Sequence, residues 1–385
     1  MRRIAAAILG MTLAGTACRS VDPARVALET SAAAVATVRN GTYAYTYEGS
    51  GSLAGSYRGE VAFARGPEGA FFFKASLTPS PTPVDTSRRS PDGEPPSLVI
   101  ASNGRELTAR DEAIGRFSYG TYTGGSAHLA NGSGYAVLFE FAEHDPFRSE
   151  LAGDPVEVGV ETIGGVECRA IRTTIPDFGG TEITWYIGVE DALPRGRDWV
   201  SGRPGAEGRF SFRIEGLTVN APLGDDALAA ASMPGDEIVA EDERDVGPGA
   251  PAPGWVLDSS DGASLDSEDL RGSVAVLAIT SSWCRDCGLV TAALAEVAGR
   301  FADAPVRLVA VTAWEETGAT PEVPGQGIEV LLRGERVAAE HKVSSPPAVF
   351  VIDPDGLIVL SRPTIDGSIE DLSRAVESAI RDALP

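Results

Sequence analysis

The stretch SSWCRDCGLV, residues 281–290, contains two of the four cysteines in a chain of 385 residues. These two, Cys284 and Cys287, follow the apolar run VAVLAIT and precede LVTAALAEVAGRF, in which apolar residues recur on one helical face. A short apolar run bounded in this way is typical of a central parallel strand. The pattern therefore predicts that Cys284 lies where a buried strand passes into a helix.

A cysteine in that position is suited to thiol–disulfide exchange. The attacking species is a thiolate, and the free amide groups and the dipole at a helix N-terminus stabilise it. A second cysteine two residues away is near enough to displace a substrate from a mixed disulfide. Of the two residues between the cysteines, Arg285 is expected to lower the pKa of Cys284 and Asp286 to raise it.

Two other kinds of site remain open for this pair. A structural disulfide would close so short a loop that it would add little stability through loop entropy. A metal site would need a further ligand, for which His341 is the candidate, but the cysteine spacing is that of a redox pair. The position at a helix start favours redox chemistry, and this interpretation predicts neither a metal nor another cofactor.

The rest of the C-terminal third continues in the order strand, hairpin, helix. The segments are PVRLVAVTAW (305–314), PPAVFVIDPDGLIVLSRP (346–363) and SIEDLSRAVESAIRDAL (368–384). Together with WCRDC and the upstream segment 265–272, the PPAVFVID motif and the Asp-Gly pair after it resemble the thioredoxin superfamily, in particular its TlpA-like extracytoplasmic branch. The resemblance implies an α/β thioredoxin fold.

The resemblance also implies a role for each motif residue. Cys284 is the attacking thiol and Cys287 the resolving thiol. Pro347 corresponds to the cis-proline that faces the disulfide and presents backbone to the substrate chain, and Pro346 precedes it in the same loop. Trp283 directly precedes the first cysteine, and Arg285 and Asp286 lie between the two cysteines.

Some positions depart from the family pattern. Ala278 stands where thioredoxins place a buried acid that helps to move the proton of the resolving thiol. The segment 315–327 is short and proline-rich, so the helix that TlpA-like proteins insert there is expected to be reduced. A peroxidase is disfavoured, because ITSSWC lacks the proline that leads into a peroxiredoxin cysteine.

The first 18 residues, MRRIAAAILGMTLAGTAC, have the order of a secretory signal: two arginines, an apolar run and small residues. The apolar run is too short to span a bilayer. The residues before Cys18 resemble a bacterial lipobox, which implies lipidation of Cys18, and ordinary cleavage after Ala17 is the alternative. Both place the protein outside the cytoplasm, where disulfides persist.

Residues 22–242 are predicted to form a β-rich domain. A first helix is followed by alternating strands such as TYAYTYEG, and YAVLFEFAEHDPF (135–147) is predicted to be a second helix. The order of strand, turn and strand in WYIGVEDALPRGRDWV, and the NAPL sequence that follows the last strand, resemble the LolA-like lipoprotein-carrier fold. That fold is an antiparallel half-barrel with helices (α+β). In that fold a concave sheet can hold acyl chains. The alternative is that the aromatic residues fill a closed core: Tyr43, Phe71, Phe73, Trp185 and Phe210.

The acidic segment 243–252, rich in proline and glycine, is predicted to link this domain to a thioredoxin-like domain over residues 253–385. A net charge of -23 disfavours nucleic acid as a partner, because phosphate repels such a surface.

The sequence predicts an extracytoplasmic, lipid-anchored thiol-disulfide oxidoreductase of the cell envelope, in the periplasm. It would act as a reductant on cysteine-containing proteins and receive electrons from a membrane electron donor. The alternative function is an envelope lipoprotein that binds a lipid in its N-terminal domain, with an accessory thioredoxin-like domain.

Overall fold

The computed structural model describes residues 22–50, 53, 55–79, 97–122, 126–130, 132–175, 181–201, 208–282, 284–315, 327–365 and 368–384. The signal segment with Cys18, the flanking Trp283 and most of the short segment 315–327 lie outside the described residues.

The N-terminal half consists of one large sheet and two helices in its described part. Its strands are rich in tyrosine, valine and isoleucine, whose side chains suit a pleated surface with one face buried. The helices are α1 (Pro23–Ala36) and α2 (Arg148–Ala152), and the strands are β1 (Asn40–Ser50), β2 (Gly55–Arg65), β3 (Phe71–Pro79), β4 (Leu98–Ser102), β5 (Glu106–Asp111), β6 (Arg116–Thr121), β7 (Val156–Ile163), β8 (Val166–Ile175), β9 (Thr181–Gly188), β10 (Pro194–Ser201), β11 (Gly208–Val219) and β12 (Glu237–Ala240).

This sheet is open. Its strand order is β12-β6-β5-β4-β3-β2-β1-β11-β10-β9-β8-β7, and the described strands do not close into a barrel. Neighbouring strands are antiparallel except for β12 and β6, which run parallel. An antiparallel sheet with helices is therefore present, while the half-barrel and the LolA-like resemblance stay predictions.

The aromatic side chains of the sheet contribute to its core. Tyr43, Phe73 and Trp185 are buried, and Phe71 and Phe210 are half-buried against the same cluster of apolar residues. The apolar side of α1 packs into this cluster. These five aromatic side chains therefore belong to one packed apolar cluster of the described residues.

Residues 135–147 do not form the predicted helix. The chain makes short 3-10 turns there and becomes α-helical only at α2. The reason is a tertiary contact: the hydroxyl of Tyr43 donates to the carbonyl of Ala136 (2.9 Å) and accepts from the N–H of Leu138 (3.0 Å). These backbone groups are satisfied without helical bonds, while Leu138 is buried against the sheet.

The C-terminal part has a five-stranded sheet covered on both faces. The strands are β13 (Val256–Asp258), β14 (Ser264–Asp266), β15 (Val274–Thr280), β16 (Val306–Thr312), β17 (Ile328–Leu331), β18 (Ala348–Ile352) and β19 (Ile358–Arg362), and the helices are α3 (Arg285–Gly299), α4 (Glu335–Glu340) and α5 (Ile369–Ala383). The main sheet has the order β17-β16-β15-β18-β19, and β13 pairs with β14 as a separate hairpin. Strands β15, β16 and β17 are parallel, whereas β18 and β19 are antiparallel to their neighbours.

The central strand of this sheet is β15, all of whose residues are buried, as the apolar run predicts. Helices α3 and α5 cover one face, and α4 covers the other. Across the part of the chain that the structure describes, none of the helices has the length and hydrophobicity needed to cross a lipid bilayer.

The predicted linker, residues 243–252, is packed against the C-terminal sheet. The N–H of Gly249 donates to the carbonyl of Ile358 (2.7 Å), and the N–H of Ile358 donates to the carbonyl of Ala250 (2.9 Å). The N–H of Ala252 donates to the carbonyl of Gly356 in the same hairpin (2.9 Å). Backbone pairing therefore fixes this segment, although its composition is typical of a linker.

Charged side chains also join the two halves. Glu340, the last residue of α4, accepts hydrogen bonds from Arg116 of β6 and from Arg244 (2.8 Å). Arg244 donates further to the carbonyls of Ala339 (2.9 Å) and Glu340 (2.8 Å). These carbonyls lie at the C-terminal end of α4, where backbone acceptors have no partner within the helix.

Candidate active site

Cys284 lies at the start of α3, just beyond the end of β15. It is the N-cap residue of the helix, and its Sγ accepts a hydrogen bond from the N–H of Cys287 at 3.2 Å. The N–H of Cys284 donates to the carbonyl of Ser281 at 3.1 Å, so a tight turn holds its backbone. The helix N-terminus thus directs an amide at the sulfur, an arrangement that stabilises a thiolate there.

Cys284 and Cys287 form a disulfide, with Cα atoms 5.3 Å apart. Only 3% of Cys287 is exposed, whereas Cys284 is half-buried. An incoming sulfur can therefore reach Cys284 more readily than Cys287. This difference favours Cys284 as the attacking sulfur and Cys287 as the resolving one.

The register of the sheet brings the proline loop to the same edge as this disulfide. Strand β18 pairs antiparallel with β15, and Ala348 lies opposite Ile279. Pro347 directly precedes that pair, while the turn with Cys284 follows β15. The peptide bond between Pro346 and Pro347 is cis, and both residues are half-buried. Because neither proline has an N–H, they can offer a docking chain only carbonyl acceptors.

The flanking residues are only partly described. Trp283 and the side chain of Arg285 lie outside the described residues. Asp286 is exposed in the first turn of α3, where a carboxylate interacts favourably with the helix dipole and repels a neighbouring thiolate. Ala278 is fully buried within β15, so the position expected for a buried acid holds an apolar side chain.

One acidic residue beside the dithiol is missing from the predicted site. Glu315 follows β16, and its carboxylate accepts hydrogen bonds from both the N–H of Ser282 (2.8 Å) and the Ser282 hydroxyl. Strands β15 and β16 are parallel, and the carboxyl ends of parallel strands meet at one edge of a sheet, where ligands commonly bind. Applied to the residues that follow the apolar run VAVT (309–312), this rule about parallel strands would have pointed to Glu315 from the sequence.

His341, the candidate third metal ligand, is fully buried after α4. Its Nδ1 is 2.9 Å from the carbonyl oxygen of Val337, and its ring contacts Phe350 with centroids 4.8 Å apart. Within the described chain, its Nε2 has no hydrogen-bond partner, and no three His, Cys, Asp or Glu side chains are grouped to hold a metal ion. Burial lowers the pKa of His341 to about 4, so the ring is neutral at pH 7.

This buried histidine is expected to make stability depend on pH. The unfolded chain binds the proton near pH 6.5, but the folded ring resists it until about pH 4. Stability is therefore lost as pH falls through this window, by about 3 kcal/mol in total. We expect His341→Leu to remove this component of acid sensitivity. Urea unfolding of both proteins between pH 7 and 4 measures the difference.

A matched control is His144→Leu, because His144 is exposed. It should unfold with the same pH dependence as the unmodified protein. Equal acid sensitivity in His341→Leu and the unmodified protein would show that His341 does not carry the effect.

The AhpC/TSA family model matches residues 248–361. The C-terminal domain is thioredoxin-like. Two curated relatives share this region. The thiol-disulfide oxidoreductase ResA of Bacillus subtilis is 28% identical over 121 residues, which are 30% of this chain and 68% of that protein. ResA of Bacillus anthracis is 25% identical over 115 residues, 29% of this chain and 66% of that protein. The chain thus spans about two thirds of the length of these relatives.

The solved structures that are similar to this chain include a secreted Mycobacterium tuberculosis disulfide oxidoreductase homologous to E. coli DsbE. It is 24% identical, with a TM-score of 0.28, covering 32% of this chain and 95% of that one. Another is the exposed lipoprotein thioredoxin Etrx1 of Streptococcus pneumoniae, 20% identical with a TM-score of 0.29, covering 34% of this chain and 99% of that one. The thioredoxin-like domain here carries the dithiol at the start of α3, the group that disulfide exchange requires.

Proposed function

We propose that this protein is an extracytoplasmic thiol-disulfide oxidoreductase that uses Cys284 and Cys287 to reduce disulfides of cysteine-containing proteins. The observation that carries the proposal is the placement of the half-buried Cys284 sulfur at the N-terminus of α3, bonded to the buried Cys287 and receiving its N–H. This gives one accessible sulfur with a stabilised thiolate and one protected sulfur beside it.

The exchange has two steps. The Cys284 thiolate attacks one sulfur of the substrate disulfide, forms a mixed disulfide and releases the other substrate sulfur as a thiolate, which takes up a proton. The Cys287 thiolate, after losing its proton to solvent, attacks Cys284 and releases the second substrate thiol. Two electrons pass to the substrate, and the protein ends with the Cys284–Cys287 disulfide.

The remaining roles follow from the same scheme. The loop with Pro346 and Pro347 docks the substrate backbone beside the disulfide, and Trp283, Arg285 and Asp286 are the sequence neighbours that tune the two cysteines. A membrane electron donor returns two electrons to the oxidised pair. Lipid on Cys18 holds the protein at the membrane of the cell envelope, with residues 22–242 and 253–385 as its two domains.

The equilibrium of the full chain with reduced and oxidised glutathione tests this function and its direction. We expect a reduction potential nearer to the value of about -270 mV found for thioredoxin than to about -120 mV, the strongly oxidising end of the scale. Cys284→Ser is the control and should form no internal disulfide. A potential near -120 mV would refute the reductant role, and a pair that does not equilibrate with glutathione would refute the oxidoreductase itself.

A further inference from the structure

The residue two positions before Cys284 is held by a carboxylate from another strand. Both oxygens of Glu315 are engaged: one accepts from the N–H of Ser282 at 2.8 Å, and the other accepts from the Ser282 hydroxyl. Ser282 is exposed and Glu315 half-buried. Hydrogen bonds to an ionised carboxylate are about twice as strong as those between neutral groups, so this contact fixes the start of the dithiol loop.

The backbone before Glu315 is shaped to make this contact. Beyond β16, the N–H of Ala313 donates to the carbonyl of Thr280 (2.9 Å), which continues the pairing with β15. Trp314 then adopts a φ of 56°, and its N–H donates to the Glu335 carboxylate at 3.1 Å. A bulky residue at positive φ is uncommon, and such strain concentrates at functional sites. The turn at Trp314 brings Glu315 to the Ser282 loop.

This geometry brings a negative charge close to the reactive sulfur. Two peptide units, from Ser282 to Cys284, span at most about 7 Å, so the carboxylate lies within about 10 Å of the backbone nitrogen of Cys284, and its sulfur is at most about 4 Å further. The charge and the sulfur are thus at most about one to one and a half Debye lengths apart at 0.1 M salt, so part of the interaction survives screening. Within β15, Ala278 supplies no acid.

We propose that Glu315 is a positioning residue that anchors the dithiol loop through Ser282 and, by its charge, disfavours the Cys284 thiolate. This inference rests on the proposed reductant function and adds an electrostatic reason why the cysteine pair is reducing. A thiolate stabilised in the reduced protein makes a dithiol pair more oxidising. A carboxylate beside the loop opposes the stabilisation by the helix N-terminus and keeps the pair reducing.

Glu315→Gln tests the charge, because glutamine keeps a carbonyl that can accept from the Ser282 N–H. The apparent pKa of Cys284 is measured in the full chain from the pH dependence of its alkylation, in a Cys287→Ser background. We expect Glu315→Gln to lower this pKa by a few tenths of a unit, which is about twofold more thiolate below both values. In the chain with both cysteines, the glutathione equilibrium should shift toward a more oxidising pair.

Two further variants separate charge from structure. Ser282→Ala removes one hydrogen bond but keeps the carboxylate, so it should leave the pKa of Cys284 nearly unchanged. Glu296→Gln removes an exposed charge from α3, the helix that begins at the dithiol. Glu296 lies about 18 Å along the helix axis from Cys284, so this variant should leave the pKa of Cys284 unchanged. If Glu315→Gln leaves the pKa unchanged, or if Ser282→Ala lowers it equally, the electrostatic role is refuted. An oxidising potential in the unmodified protein would instead refute the reductant function, whatever the effect of Glu315→Gln.

Discussion

Cys287→Ser is expected to stop turnover and to accumulate mixed disulfides on Cys284. Without the resolving sulfur, the first attack still proceeds, because Cys284 keeps its position at the start of α3 and its exposure. The adduct then has no internal thiol to displace it. Reduction of insulin should fall to background, and mass spectrometry of adducts from cells that express the full chain should identify the substrate proteins.

The other cysteines provide the controls for this experiment. Cys284→Ser should form no adducts and should also lose insulin reduction. Cys168→Ser should behave like the unmodified protein, because Cys168 is buried in the N-terminal sheet and burial raises the pKa of its thiol. Adducts confined to Cys168, or insulin reduction that survives in Cys284→Ser, would show that the nucleophile has been assigned wrongly.

The sequence was sufficient to predict the strand-to-helix position of the dithiol, because local patterns determine it. A buried apolar run, a cysteine pair and an amphipathic segment together define a strand that leads into a helix. The proline loop was predicted from its motif, and the pairing of β18 with β15 accounts for its place at the same edge. The structure adds the carboxylate of Glu315, whose contact with Ser282 spans 33 positions of the chain; only the parallel pairing of β15 and β16 points to it, and no local pattern does.

The N-terminal half shows where local patterns fail. Residues 135–147 have the composition of a helix, but Tyr43 satisfies their backbone groups from a distant strand. The segment 243–252 has the composition of a linker, yet it pairs with the hairpin at Gly356 and Ile358. In both cases a long-range contact outweighs the local preference, which composition and periodicity cannot reveal.

Glu340 is one of several residues that join the two halves, beside the ion pair between Arg336 and Glu237 and the hydrogen bond from Lys342 to the carbonyl of Glu241. Arg116, which donates to the Glu340 carboxylate, has only 3% of its side chain exposed and otherwise contacts Glu237 at 3.3 Å. Arg244 donates to the other oxygen of Glu340 and to the Glu241 carboxylate. Removing Glu340 would leave the buried Arg116 with only the longer contact to Glu237 among these carboxylates. Breaking a buried ion pair by deleting one partner costs about 3–5 kcal/mol, because the remaining charge stays desolvated.

Glu340→Ala is therefore expected to lower the free energy of unfolding by about 3 kcal/mol and to separate the unfolding of the N-terminal sheet from that of the thioredoxin-like domain.

The matched control is Glu377→Ala. Glu377 contacts two arginines, Arg300 and Arg381, where Glu340 contacts three, and its side chain is 21% exposed, as is that of Glu340. Its partners are 55% and 65% exposed, however, so its loss should lower the free energy of unfolding far less than the loss of Glu340 does. Urea unfolding followed by tryptophan fluorescence and by circular dichroism measures both, and equal losses in the two variants would mean that Glu340 does not hold the two halves together.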